Sequence, residues 1–278
     1  MPMPHRRSLP AVLLALSGLV AGLAAQEPAL TVDQMKAFLL NAKVVKVRTT
    51  EKGITAPDRL TLSDGTLTHD AVFQSIDQRA PRRELSDGTV EFNFVDAYRY
   101  DIAAYELATL LGLADMMPVT VERTWGGKKG ALSWFLPAAM DEQTRYLKKI
   151  HVPDPEAWNR QMFKKRIFAE LVYDNDPNLT NVLISADWHL WMIDFTRAFR
   201  LSKNLREPKN IEQSRCSREL LEHLRALARA DVEKAAGKYL TRYEMDAVMA
   251  RRDRIVAMID QMVAKKGEAS VLFSDKRP

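Results

Sequence analysis

The spacing of apolar residues divides this 278-residue chain into a strand-rich part and a helical part, and that division limits the folds it can adopt. Between Lys43 and Asp77, apolar and polar residues alternate in short segments separated by turn residues, a pattern typical of antiparallel strands. From Asp154 onward, apolar residues mostly recur at three- and four-residue intervals, which is typical of amphipathic helices. Strands followed by helices favour an α+β fold in two lobes.

Capping and turn residues predict where these elements begin and end. The first lobe is predicted to contain a small antiparallel sheet and one long helix, with elements at 31–41 (helix), 43–50, 58–64 and 68–77 (strands), 78–94 (loop), 96–112 (helix), and 118–125 and 131–137 (strands). Thr31, Asp96 and Asp154 are the expected N-caps and Gly112 the expected C-cap. The second lobe is expected to be mainly helical, with a helix from Asp154, a short hairpin, and three helices between about 215 and 266. The boundary is expected after Pro137, giving lobes at 26–137 and 138–278.

Residues 1–25 have the layout of a secretory signal peptide. Arg6 and Arg7 precede an uncharged apolar run from Ala11 to Ala25 that ends in small residues. The run is shorter than the roughly 20 residues of a bilayer span. We expect cleavage, no transmembrane segment afterwards, and export to the periplasm or beyond the cell; an uncleaved membrane anchor is the alternative.

The remaining composition restricts the partners of the exported chain. The net charge of +5 falls to +3 when the two arginines of the signal peptide are removed. This weak basic excess gives no indication of nucleic-acid binding. Cys216 is the only cysteine, so the chain forms no internal disulfide and is expected to depend on its core for stability.

Polar residues surround a short apolar hairpin at 173–195, "YDNDPNLTNVLISADWHLWMIDF". If "NVLIS" and "LWMID" pair around a turn centred between Asp187 and Trp188, Asn181 lies directly opposite Asp194. An amide oxygen and a carboxylate would then meet at the open end of the hairpin. Hard cations such as magnesium bind oxygen ligands of this kind, together with water and phosphate oxygens.

Asp176 precedes Asn181 by five residues, on a loop that leaves the preceding helix. A carboxylate at the edge of a metal–phosphate site can orient an attacking hydroxyl and accept its proton. Asp176 is therefore the candidate catalytic residue. Each of these residues has a simpler explanation on its own, since Asp and Asn commonly cap turns.

The spacing Asp-x4-Asn-x12-Asp-Phe, present as "DPNLTN" and "IDF", resembles that of protein-kinase-like enzymes. The first segment also resembles the loop of phosphatidylinositol 3-/4-kinases and HipA-type kinases, with Asn178 where those enzymes have histidine. The resemblance implies a two-lobed kinase-like fold, ATP and magnesium as cofactors, and Asn181 and Asp194 as metal ligands.

The resemblance extends to the first lobe. The helix "YRYDIAAYELATLLGL" resembles the HipA-type helix that supplies an acid near the phosphates, which places Asp101 in that role and leaves Glu106 as the alternative. The hinge would lie at 134–137, where Trp134 and backbone groups are expected to hold adenine. Gln74 stands at the position of the phosphate-binding lysine.

Several features depart from the kinase pattern. Gln74 carries no charge, Lys52, Lys128 and Lys129 are possible substitutes, and no G-x-G-x-x-G loop is present. Arg197 and Arg200 follow Asp194. They are expected either to bind phosphate or an acidic substrate, with Arg197 contacting the nucleotide, or to pair with a nearby carboxylate that holds the loop.

The sequence therefore predicts an atypical ATP- and magnesium-dependent phosphotransferase. Its hydroxyl acceptor is an unknown protein, lipid or small molecule. The alternative is a pseudokinase that binds a nucleotide or a protein, favoured by Gln74 and by an export signal that points to a compartment poor in ATP. A third possibility is transfer of a nucleotidyl group on the same fold.

Overall fold

The computed structural model describes residues 30–49, 57–85 and 88–275, and the chain from Thr31 onward forms one compact unit. The predicted signal peptide and Lys52 lie outside the described residues. The described strands are β1 (Lys43–Thr49), β2 (Asp58–Ser63), β3 (Thr68–Gln74), β4 (Asp77–Glu84), β5 (Val90–Ala97), β6 (Thr120–Trp125), β7 (Lys128–Trp134), β8 (Met140–Asp141), β9 (Val182–Ile184), β10 (Leu190–Met192), β11 (Cys216–Ser217) and β12 (Leu272–Phe273). The described α-helices are α1 (Val32–Asn41), α2 (Arg99–Leu110), α3 (Glu142–Leu147), α4 (Pro155–Val172), α5 (Lys209–Glu212), α6 (Arg218–Ala226), α7 (Arg229–Ala236), α8 (Arg242–Lys266) and α9 (Glu268–Val271).

An antiparallel sheet with the order β1-β2-β3-β7-β6 forms the centre of the first region. Leu60 on β2 lies opposite Ala71 on β3, and Leu132 on β7 lies opposite Phe73, so one face of the sheet is apolar and buried. Helices α1 and α2 contact β6 and β7, and the sheet and helices share one hydrophobic core. This confirms the predicted sheet with a long helix beside it.

Capping residues explain where two of the helices begin. Thr31 and Gln34 form a reciprocal capping box at the start of α1. Asp154 accepts hydrogen bonds from the backbone N–H groups of Glu156 and Ala157 at the start of α4, and Pro155 occupies the first helical position. Both N-caps confirm the sequence prediction.

The predicted loop at 78–94 is wrong, because β4 and β5 form a long antiparallel hairpin there. Exposed arginines and Pro81 obscure the alternation of β4. Ala80 pairs with Phe94 and Arg82 with Phe92, but the residues between them, Pro81 and Asn93, do not pair, and Asn93 has φ +52°. The alternation of "TVEFNFV" after an Asp-Gly pair was the available signal for this hairpin.

The start of α2 also differs from the prediction. Asp96 belongs to β5, and the N-cap of α2 is Tyr98, which makes no side-chain capping bond. The hairpin therefore continues until just before the helix. The C-terminal prediction is closer, since Gly112 follows the helix with φ +68°.

The second region is mainly helical, as predicted, with α4 and α8 packed against each other. Arg251 on α8 is fully buried and donates hydrogen bonds to the carbonyl groups of Leu171 and Arg200, at 2.7 and 3.0 Å. A third goes to the carbonyl of Ser202. This side chain joins α8 to the end of α4 and to the segment that follows β10.

Two further features concern Cys216 and membrane spans. Cys216 is a buried free thiol that packs in the core, and burial raises its pKa to about 12. Within the described ranges, no helix combines the length and the apolar character that crossing a bilayer requires.

Candidate active site

The loop after α4 presents Asp176. Tyr173 has left-handed backbone dihedral angles and ends the helix, and the Asp174 carboxylate then accepts the backbone N–H of Asp176 at 3.0 Å. The side chain of Asp176 remains 45% exposed. The loop thus holds the backbone of Asp176 in place while its carboxylate stays accessible.

Asp174 was not predicted from the sequence. It is buried, which raises the pKa of its carboxyl, and the positive charge of Lys165 on α4 partly opposes that effect. Burial lowers the pKa of Lys165 in turn. The "KKRIFAELVYDND" segment contains both residues, but their separation of nine residues gave no signal that they meet.

Asn181 lies at the open end of the β9–β10 hairpin, as expected, but the register differs by one residue. Leu183 pairs with Trp191, and the Ile193 N–H donates to the Asn181 carbonyl at 3.0 Å, so Asn181 faces Ile193 rather than Asp194. The Asn181 side-chain amide lies 3.5 Å from the carbonyl of Asp176. That contact directs Asn181 towards the loop that presents Asp176.

Asp194 follows β10 with φ +60°, a left-handed conformation that Asp tolerates better than most residues. The Thr196 hydroxyl donates to its Oδ1 at 2.9 Å. Asp194 keeps contact with solvent, yet surrounding protein atoms raise the pKa of its carboxyl, and the negative charges of Asp96 and Asp176 raise it further.

Asp101 on α2 lies beside this segment. Its Oδ1 accepts the backbone N–H of Phe195 at 2.6 Å. Burial, reinforced by the charge of Asp194, raises the pKa of Asp101 well above its usual range. Glu106, the alternative acid, instead pairs with Lys36 of α1 at 3.2 Å.

Asp96 also lies beside the segment, although the sequence suggested only a cap. It is 8% exposed, and the next residue, Ala97, donates its N–H to the Thr196 carbonyl at 2.9 Å. Burial raises the pKa of Asp96. No described group hydrogen-bonds to its buried Oδ1.

Gln74 and Trp134 occupy the ends of neighbouring strands. Gln74 Oε1 accepts the backbone N–H of Ile76 at 3.3 Å. The Trp134 ring stacks on His69 with centroids 3.8 Å apart and meets the edge of Phe38 at 5.7 Å. The indole therefore packs within the first region, and its predicted contact with adenine stays a prediction.

Both arginines after Asp194 pair with Glu91 of β5. Arg197 also lies 3.4 Å from the Asp176 carboxylate. The three side chains of Glu91, Arg197 and Arg200 are 12–16% exposed, so the cluster is largely shielded from solvent. Of the two predicted roles for these arginines, the structure shows the pairing with a local carboxylate; Glu91 itself lay in the supposed loop and was missed.

The lysines proposed as substitutes for Gln74 have different positions. Lys128 and Lys129 begin β7 after a turn in which Gly126 and Gly127 have φ +56° and +75°. The segment "WGGKKG" therefore contains a hairpin turn, in which glycine supplies positive φ. Both lysines are exposed.

A cleft of about 800 Å³ opens beside the loop that presents Asp176. Tyr173 and Asn175 line it next to Asp176, Arg200 lines it from the segment after Asp194, and Phe92 and Tyr243 also line it. Phe92 and Tyr243 are 70% and 61% exposed. Large exposed aromatic residues in a concave surface are typical of a binding site.

The donor set fits a hard cation. Asp194 and Asn181 supply carboxylate and amide oxygens, the ligand types that magnesium and manganese bind. Within the described part of the chain, no three His, Cys, Asp or Glu side chains form a ready metal cage. A metal here would need ligands from another molecule, such as phosphate oxygens.

Comparison with solved structures identifies the fold. No protein-family model and no curated protein matches the sequence. The structure of hydra Fam20 with sugar is similar at a TM-score of 0.65 and 14% identity, covering 88% of this chain and 93% of that one. The Golgi casein kinase with manganese and ADP bound is similar at 0.61 and 12%, covering 89% of this chain and 80% of that one.

A third similar structure is that of CtkA, a proinflammatory kinase of Helicobacter pylori, with a TM-score of 0.52 and 8% identity over 82% of this chain and 96% of that one. At identities of 8–14%, the similarity to these three structures concerns the fold alone. The chain has the α+β, two-lobed, kinase-like fold, which confirms the predicted fold class.

Proposed function

We propose that this protein is a metal-dependent phosphotransferase that moves a phosphoryl group from ATP to a hydroxyl acceptor. One observation carries the proposal: on a kinase-like fold, the accessible carboxylate of Asp176 lies on a loop in contact with Asn181, while Asp101 anchors the backbone directly after Asp194. Ordinary turn-capping does not require acids from three separate elements to meet. The closer likeness to phosphatidylinositol and HipA-type kinases rests on the sequence motifs alone and is part of the proposal.

The proposed metal ligands are Asn181 and Asp194, with magnesium as the metal. A bound divalent ion would neutralise charge on the phosphates. The left-handed backbone of Asp194 and its bond from Thr196 fix the orientation of one carboxylate oxygen. One similar structure contains manganese and ADP, which supports a nucleotide and a divalent ion without choosing between the two metals.

Asp176 is the proposed catalytic residue. Its carboxylate would orient the acceptor hydroxyl and receive its proton. Arg197 lies 3.4 Å from the Asp176 carboxylate and, in the proposal, also contacts the nucleotide phosphates. Gln74, Asp101 and Trp134 are the proposed nucleotide-side residues, with Gln74 donating a hydrogen bond where a lysine would supply charge.

The proposed entrance for the acceptor is the cleft beside the catalytic loop. Its lining includes the exposed residues Phe92 and Tyr243 and the polar residues Asn93 and Asn175. The hydra Fam20 structure contains a sugar, which supports a small hydroxylated acceptor among the protein, lipid and small-molecule candidates. No role in nucleic-acid binding is proposed.

The proposal includes export after cleavage of residues 1–25 and lobes that meet after Pro137. One similar structure is that of a Golgi enzyme, which supports an exported kinase-like protein. A pseudokinase is the second candidate, because uncharged Gln74 stands where the kinase lysine is expected. Transfer of a nucleotidyl group is the third.

Product analysis with Asp176→Asn tests the proposal. The full chain is incubated with ATP and magnesium or manganese beside a panel of sugars, lipids and peptides. Transfer of phosphoryl adds about 80 Da to an acceptor and transfer of adenylyl about 329 Da. Since a positioned base contributes about 10²- to 10⁴-fold, Asp176→Asn should lower the rate by that factor.

Asp187→Asn, at the tip of the same hairpin, is the matched control and should keep the wild-type rate. Equal rates in wild type and Asp176→Asn would remove the catalytic role of Asp176. Nucleotide binding without turnover under any of these conditions would favour the pseudokinase.

A further inference from the structure

The segment Asp194–Phe195–Thr196 collects negative charge from two other elements. Asp101 of α2 accepts the Phe195 N–H at 2.6 Å, and Asp96 of β5 lies next to the residue that bonds the Thr196 carbonyl. Three acids therefore share a region in which a kinase also has a lysine.

Hydrogen-bond donors in this region are too few for the acceptors. The Thr196 hydroxyl donates to Asp194 Oδ1 at 2.9 Å, and the same hydroxyl is the side-chain hydrogen-bond partner of Asp96. A hydroxyl has one hydrogen, so it cannot donate to both carboxylates at once. Asp96 Oδ1 is buried, and no described group hydrogen-bonds to it.

The nearest positive charges are already engaged. Arg197 directs its two terminal nitrogens to Glu91 and Asp176. Arg83, the other arginine that acts on Asp96, donates to Gln78 and lies over the ring of Phe94. Neither arginine hydrogen-bonds to Asp96 Oδ1. The described protein supplies no donor to this oxygen, which leaves it open to a cation or a proton donor from another molecule.

We propose that Asp96 Oδ1 is a ligand for a second divalent cation, which binds beside Asp194 together with the nucleotide and supplies the positive charge that the missing lysine would supply. The inference rests on the proposed nucleotide site. Since the described residues form no three-acid cage, the other ligands are phosphate oxygens and water, as in many magnesium sites that use one or two carboxylates. The ion is therefore expected to bind with the nucleotide and not alone.

Equilibrium dialysis measures this directly. The full chain is dialysed against manganese and a non-hydrolysable ATP analogue, and protein-bound manganese and phosphorus are counted by plasma mass spectrometry. Wild type should bind two manganese ions per nucleotide, and Asp96→Asn one. Asp115→Asn, an exposed aspartate outside the site, should bind two. Asp96→Glu, which keeps a carboxylate, should still bind two manganese ions per nucleotide, with a lower affinity for the second.

Unfolding of metal-free Asp96→Asn shows whether the variant folds. Its melting temperature should equal or exceed that of wild type, because an amide replaces a buried carboxylate that lacks a full set of donors. One manganese ion per nucleotide in wild type, or two in Asp96→Asn, would overturn the inference while leaving the proposed function intact. Absence of nucleotide binding by wild type would overturn both.

Discussion

The catalytic-loop side and the sheet side of the candidate site retain different amounts of the kinase pattern. On the loop side, Asp176, Asn181 and Asp194 occur with the full spacing, and the structure brings them to one end of the β9–β10 hairpin. On the sheet side, Gln74 stands at the position predicted for the lysine, and no G-x-G-x-x-G sequence precedes it. In the proposed site, the residues expected to act on the phosphoryl group match the kinase pattern, while those expected to bind the nucleotide differ from it.

The β4–β5 hairpin connects the two sides. It brings Glu91 to Arg197 and Arg200, and Asp96 to Thr196, so the sheet side contributes acids where a kinase contributes a lysine. Substitutions at the contacts of this hairpin should separate its contribution to stability from its contribution to the proposed nucleotide and metal site.

Glu91→Gln should have the largest effect on stability. It leaves two mostly buried arginines without their shared carboxylate, and removal of one partner from a buried ion pair typically costs 3–5 kcal/mol. Because the three side chains of this cluster are still 12–16% exposed, we expect a loss of about 2–3 kcal/mol in the free energy of unfolding. Denaturant titration measures it. Glu84→Gln, exposed on the same hairpin, should change it by less than about 0.5 kcal/mol; a similar small change for Glu91→Gln would show that the hairpin is not held by this cluster.

Asp101→Asn should change the pH dependence of stability. In the folded protein the pKa of Asp101 lies well above its ordinary 3.8, because the group is buried and faces Asp194. The folded state therefore binds the proton more tightly than the unfolded state, and wild type loses stability as pH rises from about 4 through the raised pKa. The amide oxygen of the variant can still accept the Phe195 N–H, and the amide does not titrate.

Melting curves of the metal-free chain at pH 4, 6 and 8 measure the difference. The advantage of Asp101→Asn over wild type should grow from pH 4 to pH 8, by about 2–4 °C for each kcal/mol relieved. Asp115→Asn should show no such trend. An advantage that shrinks as pH rises would contradict the assigned direction of the pKa.

Gln74→Lys should have the smallest effect of the three substitutions, and the quantity it changes is the affinity for ATP with metal. A new positive charge on the sheet side should strengthen binding of ATP with metal by up to about fivefold, because partly exposed charge pairs contribute at most about 1 kcal/mol. Gln261→Lys adds the same charge to an exposed position on α8 and should leave affinity unchanged. An increase of a hundredfold or more by calorimetry would mean that Gln74 is a lesion in an otherwise complete nucleotide site.

The sequence predicted those parts of the fold that local chemistry determines. Thr31 and Asp154 were recognised as caps because Ser, Thr and Asp at these positions satisfy backbone N–H groups of their own helix. The β4–β5 hairpin was missed because its strands lie outside the main sheet, so exposed arginines interrupt the alternation that burial would impose.

The site was predictable in its residues but less so in its geometry. A three-residue loop at 186–188 ends in Trp188 with φ +65°, so Ser185 pairs with His189 and the register shifts by one. Such loops usually place glycine at the left-handed position, and Trp188 gave no sign of it. The acids Asp96, Asp174 and Glu91 are separated in sequence from the groups they meet, and local patterns carry no information on contacts of that kind.

Thermal unfolding of the full chain tests the central claim most directly, with ATP and magnesium or manganese, with ATP alone, and with neither. A ligand at about 100 times its dissociation constant stabilises the folded state by roughly 2.7 kcal/mol. We expect a metal-dependent rise of about 5–11 °C for wild type, and its loss in Asp194→Asn, which tolerates the left-handed backbone. No rise in wild type, or an equal rise in Asp194→Asn, would contradict a metal–nucleotide site at the end of the hairpin.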